Sequence, residues 1–401
     1  MLKRDCRYFP GDRPCGFHKQ DHTVCETCDH YAPRGIAILI IKLDALGDVL
    51  RTTSILPALH RRYGRCHVTW LTSPAARDLF QGNLFVDRVV SAPEAYLPTI
   101  LSRTFDVVIN PDAAPRSCEL ATIALGQTVY GYRLHPDGVV LGLSRAADRW
   151  LEMGGSDVLK RANKRTYQAI LHEMCGLDSE GQHIVLSLTP DEIAARADLA
   201  CEIGIDSGRP VVGLNTGAGG RWPLKKWRVE GFVELIEMIL SRSEAQVILL
   251  GGEAESDRNG FIRSKFDVRV KNPRMATIRR LIRTVDLCDA VVTGDTLALH
   301  VGLGLKKRVV ALFGPTSAAE IDMYGLGAKI VPDMDCVCCY ATACGREPTC
   351  MDLISAAEVY GHLKRQMGLA ASPTPTDEVV GAGKTADKEQ ACMVGGPIAD
   401  W

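Results

Sequence analysis

The stretch Ile36-Ala-Ile-Leu-Ile-Ile-Lys-Leu-Asp-Ala-Leu-Gly-Asp48 decides the fold. From Ile36 to Leu43 it is apolar apart from Lys42, the pattern of a strand buried on both faces of a parallel sheet. Asp44-Ala-Leu-Gly47 then turns the chain. From Asp48 onward Val49, Thr52, Leu56 and Leu59 recur at helical spacing until Gly64 ends the helix. A buried strand that turns directly into a helix opens an α/β sheet, and ligands of such sheets bind at the carboxyl ends of the strands.

The alternation continues outward. Strands are expected at 67–71, 87–90 and 105–110, with a helix at 75–79. Helix is expected across about 145–180, where Tyr167, Ile170, Leu171 and Met174 share a face, and again at 191–200 near a linker. A second sheet begins with Val211-Val-Gly-Leu214, followed by the glycine-rich Asn215-Thr-Gly-Ala-Gly-Gly220. Further strands are expected at 246–250, 290–292 and 308–313, and a helix at 229–240. Ser355-Ala-Ala-Glu358 reads as a capping box for a last helix running to Met367.

A chain of 401 residues is long for one core, which agrees with two Rossmann-like halves and appendages. The expected division is a Cys-rich module at 1–34, Rossmann-like domains at 35–190 and 191–352, a helix at 353–368, and a disordered tail at 369–401. Charged residues at 24% and a formal net charge of -1 leave no basic excess for a nucleic-acid backbone, so nucleic acid is excluded as a partner. The run from Ile36 to Ile41 falls far short of the roughly 18 apolar residues that a membrane span needs. The N-terminus lacks the apolar centre of a signal peptide, and a cytoplasmic location is expected.

The 15 cysteines are unevenly placed. Cys6, Cys15, Cys25 and Cys28 precede the first strand, with His18, His22 and His30 nearby, and form a candidate site for structural zinc or an iron–sulfur cluster. Cys336, Cys338, Cys339, Cys344 and Cys350 form a second set after the last strand.

With these residues in view, ILIIKLDALGDVLRTTSILPAL resembles the N-terminal signature of glycosyltransferase family 9, the ADP-heptose:lipopolysaccharide heptosyltransferase family. NTGAGGRWPLKKW, the strand ending GGEAE, and DAVVTGDTLALHVGLGLKKRVVALFGPTS are similar to later blocks of that family and occur in the same order. The second cysteine set with CMDLISAAEV is similar to the family's C-terminal end. The resemblance spans about residues 36–366. It implies a GT-B fold, two Rossmann-like domains facing across a cleft, here with an N-terminal Cys-rich extension. It also implies an inverting transfer of a heptose-like sugar from a nucleoside diphosphate donor, ADP-heptose foremost, to a hydroxyl of a lipopolysaccharide core or other glycan or glycolipid acceptor. No cofactor is needed for that chemistry, and peripheral contact with the inner membrane follows from such an acceptor.

Residue by residue, the resemblance makes Asp48 the general base; Asp44, four residues earlier, is the competing carboxylate by position. Capping of the helix is the other reading of Asp48. Thr216, Lys225, Glu255, Asp295, Thr296 and His300 become donor-binding residues, Lys225 and the turn after Thr216 facing the pyrophosphate and Glu255 the ribose. Each has a plainer reading as a helix cap or a solvated side chain. Leu297 stands where many family members have glycine. Gly314-Pro-Thr-Ser317 is a further phosphate-facing turn, and Arg116 and Ser117 are expected on the acceptor side. The final helix of such folds crosses back to the first domain, which would let the two cysteine sets meet. Rival readings are a nucleotide-sugar epimerase of the same fold and a non-catalytic binding protein.

Overall fold

In the computed structural model, which describes residues 1–178, 183–219 and 222–368, the opening stretch forms β1 (Ile36–Ile41), its last four residues fully buried. It lies at the centre of a six-stranded sheet with β2 (Cys66–Leu71), β3 (Arg88–Val90), β4 (Phe105–Asn110), β5 (Gly126–Leu134) and β6 (Val140–Gly142). The order is β3-β2-β1-β4-β5-β6, parallel throughout except that β6 runs antiparallel to β5.

The second sheet holds β7 (Val211–Asn215), β8 (Gln246–Leu250), β9 (Val270–Lys271), β10 (Ala290–Gly294), β11 (Arg308–Leu312) and β12 (Gly327–Ile330). Its order, β12-β11-β10-β7-β8-β9, repeats the winding of the first sheet, and all its pairings are parallel. Each sheet therefore has one switch point, between β1 and β4 in the first and between β7 and β10 in the second. Neighbouring strands there send their loops in opposite directions and leave a crevice. The two crevices are where the functional side chains collect.

Several elements differ from the sequence expectation. The helix expected over 145–180 is three helices, Arg145–Gly154, Asp157–Ala162 and Tyr167–Met174. Ser156 and Thr166 cap the second and third, accepting from Leu159 and Ala169 backbone N–H at 3.4 and 3.2 Å. The segment at 191–200 is two helices, Pro190–Ala194 and Arg196–Ile203. β5 carries few buried residues and β9 has only two, so neither shows the apolar run that marks the central strands.

Ser355 caps the last helix, Ala356–Met367, by accepting from Glu358 N–H at 3.2 Å. That helix does not cross back to the first domain. Its Val359, Tyr360 and Leu363 pack with Trp227, Phe232 and Ile236 against the second sheet, because its apolar stripe completes that core. The tail expected at 369–401 lies outside the described residues.

Candidate active site

β1 ends at Ile41, and Lys42, buried just beyond it, donates to Asp112 Oδ2 at 3.1 Å. Asp112 follows β4, so this ion pair ties together the two loops that diverge at the first switch point. The helix Leu46–Thr52 then starts with Ala45 as its N-cap. Asp48 sits in the first turn, one position beyond Gly47, and does not cap the helix. Asp44 is exposed and lies outside the cleft lining, whereas Asp48 lines it.

Arg51, buried one turn further along the helix, approaches Asp48 Oδ1 to 2.8 Å. Its guanidinium lies 3.9 Å from the centroid of the Tyr167 ring, and Tyr167 is fixed in turn by a 2.9 Å hydrogen bond between its hydroxyl and that of Thr52. Burial opposes the charge on Asp48, but the cations Arg51 and Lys42 outweigh it and hold the carboxyl down at about 2.

The second sheet meets this helix directly. His300 lies on the helix Leu297–Gly304, and a Cβ built on Gly47 would stand 2.8 Å from His300 Cδ2. The two helices touch there because Gly47 has no side chain. His300 is buried, and its Nδ1 has no hydrogen-bond partner among the described residues. Burial, reinforced by Arg51, pushes His300 down to about 4, so its ring is neutral near pH 7.

Lys225 Nζ donates to Asp295 Oδ2 at 2.8 Å and to the Asp295 carbonyl at 3.0 Å. Burial opposes ionisation of Asp295, and Lys225 overrides it and keeps the carboxyl below its usual value. Thr296, not Asp295, caps the His300 helix, accepting from Ala298 N–H at 3.2 Å. Asn215, at the end of β7, donates to Thr293 and Thr296 hydroxyls at 3.1 Å, joining the loops at the second switch point.

These groups line one cavity of about 750 Å³ between the sheets. Asp48 and Arg51 come from the first, and Lys225, Asp295, Thr296 and His300 from the second. Thr316 and Ser317 of the Gly314 turn line it as well. An adjoining pocket of about 390 Å³ has walls of Gly217, Gly219, Gly251 and Gly252, with Glu255 among them. Glu255 is buried rather than solvated, and its Oε2 accepts from Gly252 N–H at 2.9 Å. Met275, Ile278 and Leu281 form an apolar side. Leu297 lines both spaces.

Three expected groups fall elsewhere. Thr216 is buried and donates its hydroxyl to Asn259, so it lines neither cavity. Ser117 is buried within the helix Pro115–Ile123, and Arg116 turns away over the Tyr96 ring at 5.6 Å. Neither reaches the cleft. The cysteine sets do not meet. Arg7 of the N-terminal module bonds Asp87 at the amino end of β3 through Nε at 3.0 Å, whereas Cys339 lines the cleft at the carboxyl ends.

Sequence reasoning overlooked Lys160, Glu320 and Tyr340, which also line the cleft. Lys160 Nζ lies 4.8 Å from the Tyr340 ring centroid, and Tyr340 donates its hydroxyl to Glu320 at 3.2 Å. Burial raises the Glu320 pKa, with Arg51 working against it. Only the fold brings these three near Arg51, and no local pattern in the sequence marks them.

The family model for glycosyltransferase family 9 (heptosyltransferase) matches residues 97–347. The chain belongs to glycosyltransferase family 9. Lipooligosaccharide heptosyltransferase 2 of Campylobacter jejuni is 27% identical over 168 residues, 40% of this chain and 52% of that protein. The chain thus spans about half the length of that curated relative. Among solved structures, a family 9 glycosyltransferase from Veillonella parvula superposes with a TM-score of 0.69 at 16% identity, covering 84% of this chain and 98% of that one. E. coli ADP-heptose LPS heptosyltransferase II gives 0.59 at 17% identity, covering 83% and 98%. These likenesses establish the GT-B fold for the family 9 chain.

Proposed function

We propose that this family 9 protein is an inverting glycosyltransferase that moves a heptose-like sugar from ADP-heptose, or a closely similar nucleoside diphosphate sugar, to a hydroxyl of a lipopolysaccharide core or related surface glycan. The observation that carries this reading is the facing of Asp48, at one switch point, by Lys225 and His300 from the other across a single cavity. Membership of a heptosyltransferase family supports the choice of sugar.

In this mechanism the first domain holds the acceptor and the second holds the donor. The base of the nucleotide packs on Met275, Ile278 and Leu281, and Glu255 takes the ribose hydroxyls. The glycine walls let the backbone approach the pyrophosphate closely. Lys225 and the N–H groups at the start of the His300 helix stabilise the charge that builds on the leaving diphosphate. Thr316 supports the same role, since its buried hydroxyl has no partner among the described residues. Asp48 accepts the proton of the acceptor hydroxyl as the new bond forms, and attack opposite the diphosphate inverts the anomeric carbon. Protein cations supply the electrostatic stabilisation, so transfer needs no cofactor. No helix among the described residues is long and apolar enough to cross a membrane. A lipid-anchored acceptor would bring the enzyme to the cytoplasmic face of the inner membrane as a peripheral protein.

The test incubates the purified protein with ADP-heptose and a heptose-deficient lipopolysaccharide core, in the presence of EDTA. Transfer of the sugar with inverted configuration is expected. Epimerised donor formed without acceptor, or neither transfer nor nucleotide binding, would overturn the reading.

A further inference from the structure

Residues 1–34 have no core of their own. The helix Gly16–Asp21 and the 3-10 turn Cys25–Thr27 bury none of their residues, and in the whole segment only Cys6 is buried. Segments below about 40 residues that keep a fixed shape generally need cross-links or metal. Cross-links are not used here, because Cys6, Cys15, Cys25 and Cys28 are free thiols.

The backbone is nonetheless well organised around those four residues. Cys6 and Cys28 each open a turn, their carbonyls accepting from Phe9 N–H at 3.1 Å and Tyr31 N–H at 3.2 Å. The Cys15 carbonyl accepts from Lys19 N–H at 3.1 Å in the first turn of the helix. Arg34 donates to the Cys6 and Phe9 carbonyls at 3.2 and 2.6 Å, closing the segment on itself. All four cysteines line one cavity of about 330 Å³, which Tyr8, Phe9, Phe17 and Tyr31 help to wall.

The spacing of the thiols distinguishes between kinds of metal centre. A zinc ion bonded to four sulfurs at about 2.3 Å draws them to within roughly 4 Å of one another. Here all four cysteines line one cavity of about 330 Å³, a larger space than a single ion fills. Among the described residues no three His, Cys, Asp or Glu side chains group closely enough to hold a metal ion. A four-iron cluster has a different requirement, since each thiolate binds its own iron at a corner of the cluster and the sulfurs stand apart around a central volume.

We propose that Cys6, Cys15, Cys25 and Cys28 hold a [4Fe–4S] cluster. Each thiol loses its proton to solvent and its thiolate bonds one iron, with no change of oxidation state. The cluster supplies the interior that residues 1–34 lack. Its position at the amino ends of the first sheet, anchored by Arg7 on Asp87, is remote from the cleft and gives it a structural role.

The test is iron and acid-labile sulfide analysis of the full chain purified without oxygen, together with its visible spectrum before and after dithionite. About four irons and four sulfides per chain are expected, with absorption that bleaches on reduction. Cys15→Ser and Cys25→Ser should each lose most of the iron while circular dichroism and nucleotide binding show the rest of the chain folded. Cys350→Ser, in the other set, should keep it. Stoichiometric zinc without sulfide, a metal-free protein, or iron that follows Cys350 instead would overturn the proposal. The measurement uses no substrate, so its failure is separate from any failure of the transferase reading.

Discussion

Arg51 and Asp48 lie 2.8 Å apart on one helix, and the cation is held from its other side by the Tyr167 ring at 3.9 Å. The pair keeps the Asp48 carboxylate ionised and aimed into the cleft before any acceptor arrives. A carboxylate held at about 2 is a weak base. An acceptor hydroxyl that draws Arg51 partly away would strengthen it at the moment of attack. Asp48→Asn keeps the shape and removes the basic oxygen. It should lower kcat by about 10²–10⁴-fold while leaving ADP affinity within a few-fold, as read by steady-state kinetics and calorimetry.

The same pair sets a pH dependence. The folded value of Asp48, about 2, lies below the ordinary 3.8, so its contribution to stability is present above about pH 4 and is lost as pH falls toward 2. Activity should likewise show no acid limb from Asp48 in the usual carboxylate range. Arg51→Lys lengthens and weakens the pairing, and its kcat profile should acquire an acid limb displaced upward relative to the parent protein. An unchanged profile would mean that Arg51 does not govern the carboxylate.

His300 is shifted down as well, but for a base a lowered value favours the neutral form. Its folded value of about 4 lies below the usual 6.5, so the unfolded chain takes up a proton first as pH falls. The stability tied to the neutral ring is intact above about pH 6.5 and declines between there and about 4. An NMR titration of the His300 ring should show no protonation near pH 6.5. A resonance titrating at the ordinary value would show that the ring is not enclosed between the helices as described.

The placement of much of the candidate site was legible where local rules agree along β1 and β10, while the expected roles of its residues came from the family resemblance. A continuous apolar run, a turn and a helix identify a central parallel strand, and the same run delivers Asp48 to the strand's carboxyl end. Lys225, Glu255, Asp295, Thr296 and His300 follow in matching positions on the second sheet. Thr216 was misplaced because a hydroxyl at a strand end can face either the ligand or the neighbouring helix, and Asn259, 43 residues away, decides it. Arg116 was misplaced for a similar reason, since Tyr96 lies on a separate helix that the local sequence does not announce. Lys160, Glu320 and Tyr340 were missed because their meeting depends on how the helix Asp157–Ala162 packs against loops after β11.

Leu297 tests how the two cavities share a wall. It begins the His300 helix, and it lines both the cleft and the glycine-walled pocket. Leu297→Gly should cost about 0.5–1 kcal/mol of stability, through backbone entropy at the helix start. It should also broaden donor choice, raising kcat/KM for bulkier nucleotide sugars relative to ADP-heptose in a competition assay. An unaltered preference would place the sugar away from Leu297.

Gly47 is the point at which the two domains' chemistry touches. A methyl there would stand 2.8 Å from His300 Cδ2 and 3.3 Å from Nε2, and the ring is too enclosed to step aside freely. Gly47→Ala should therefore separate the helix of Asp48 from the helix of His300, at a cost of about 1–3 kcal/mol by overpacking. Moving Asp48, the proposed base, relative to the second domain should lower kcat more than it weakens ADP binding, because the proposed nucleotide pocket is lined wholly by second-domain residues. A steric origin has a distinct signature in the double variant. His300→Ala creates the space that the new methyl needs, so Gly47→Ala with His300→Ala should be less destabilised than the sum of the two single changes in thermal denaturation. Strict additivity of the two would show that Gly47 acts through the backbone of its own turn rather than through contact with His300.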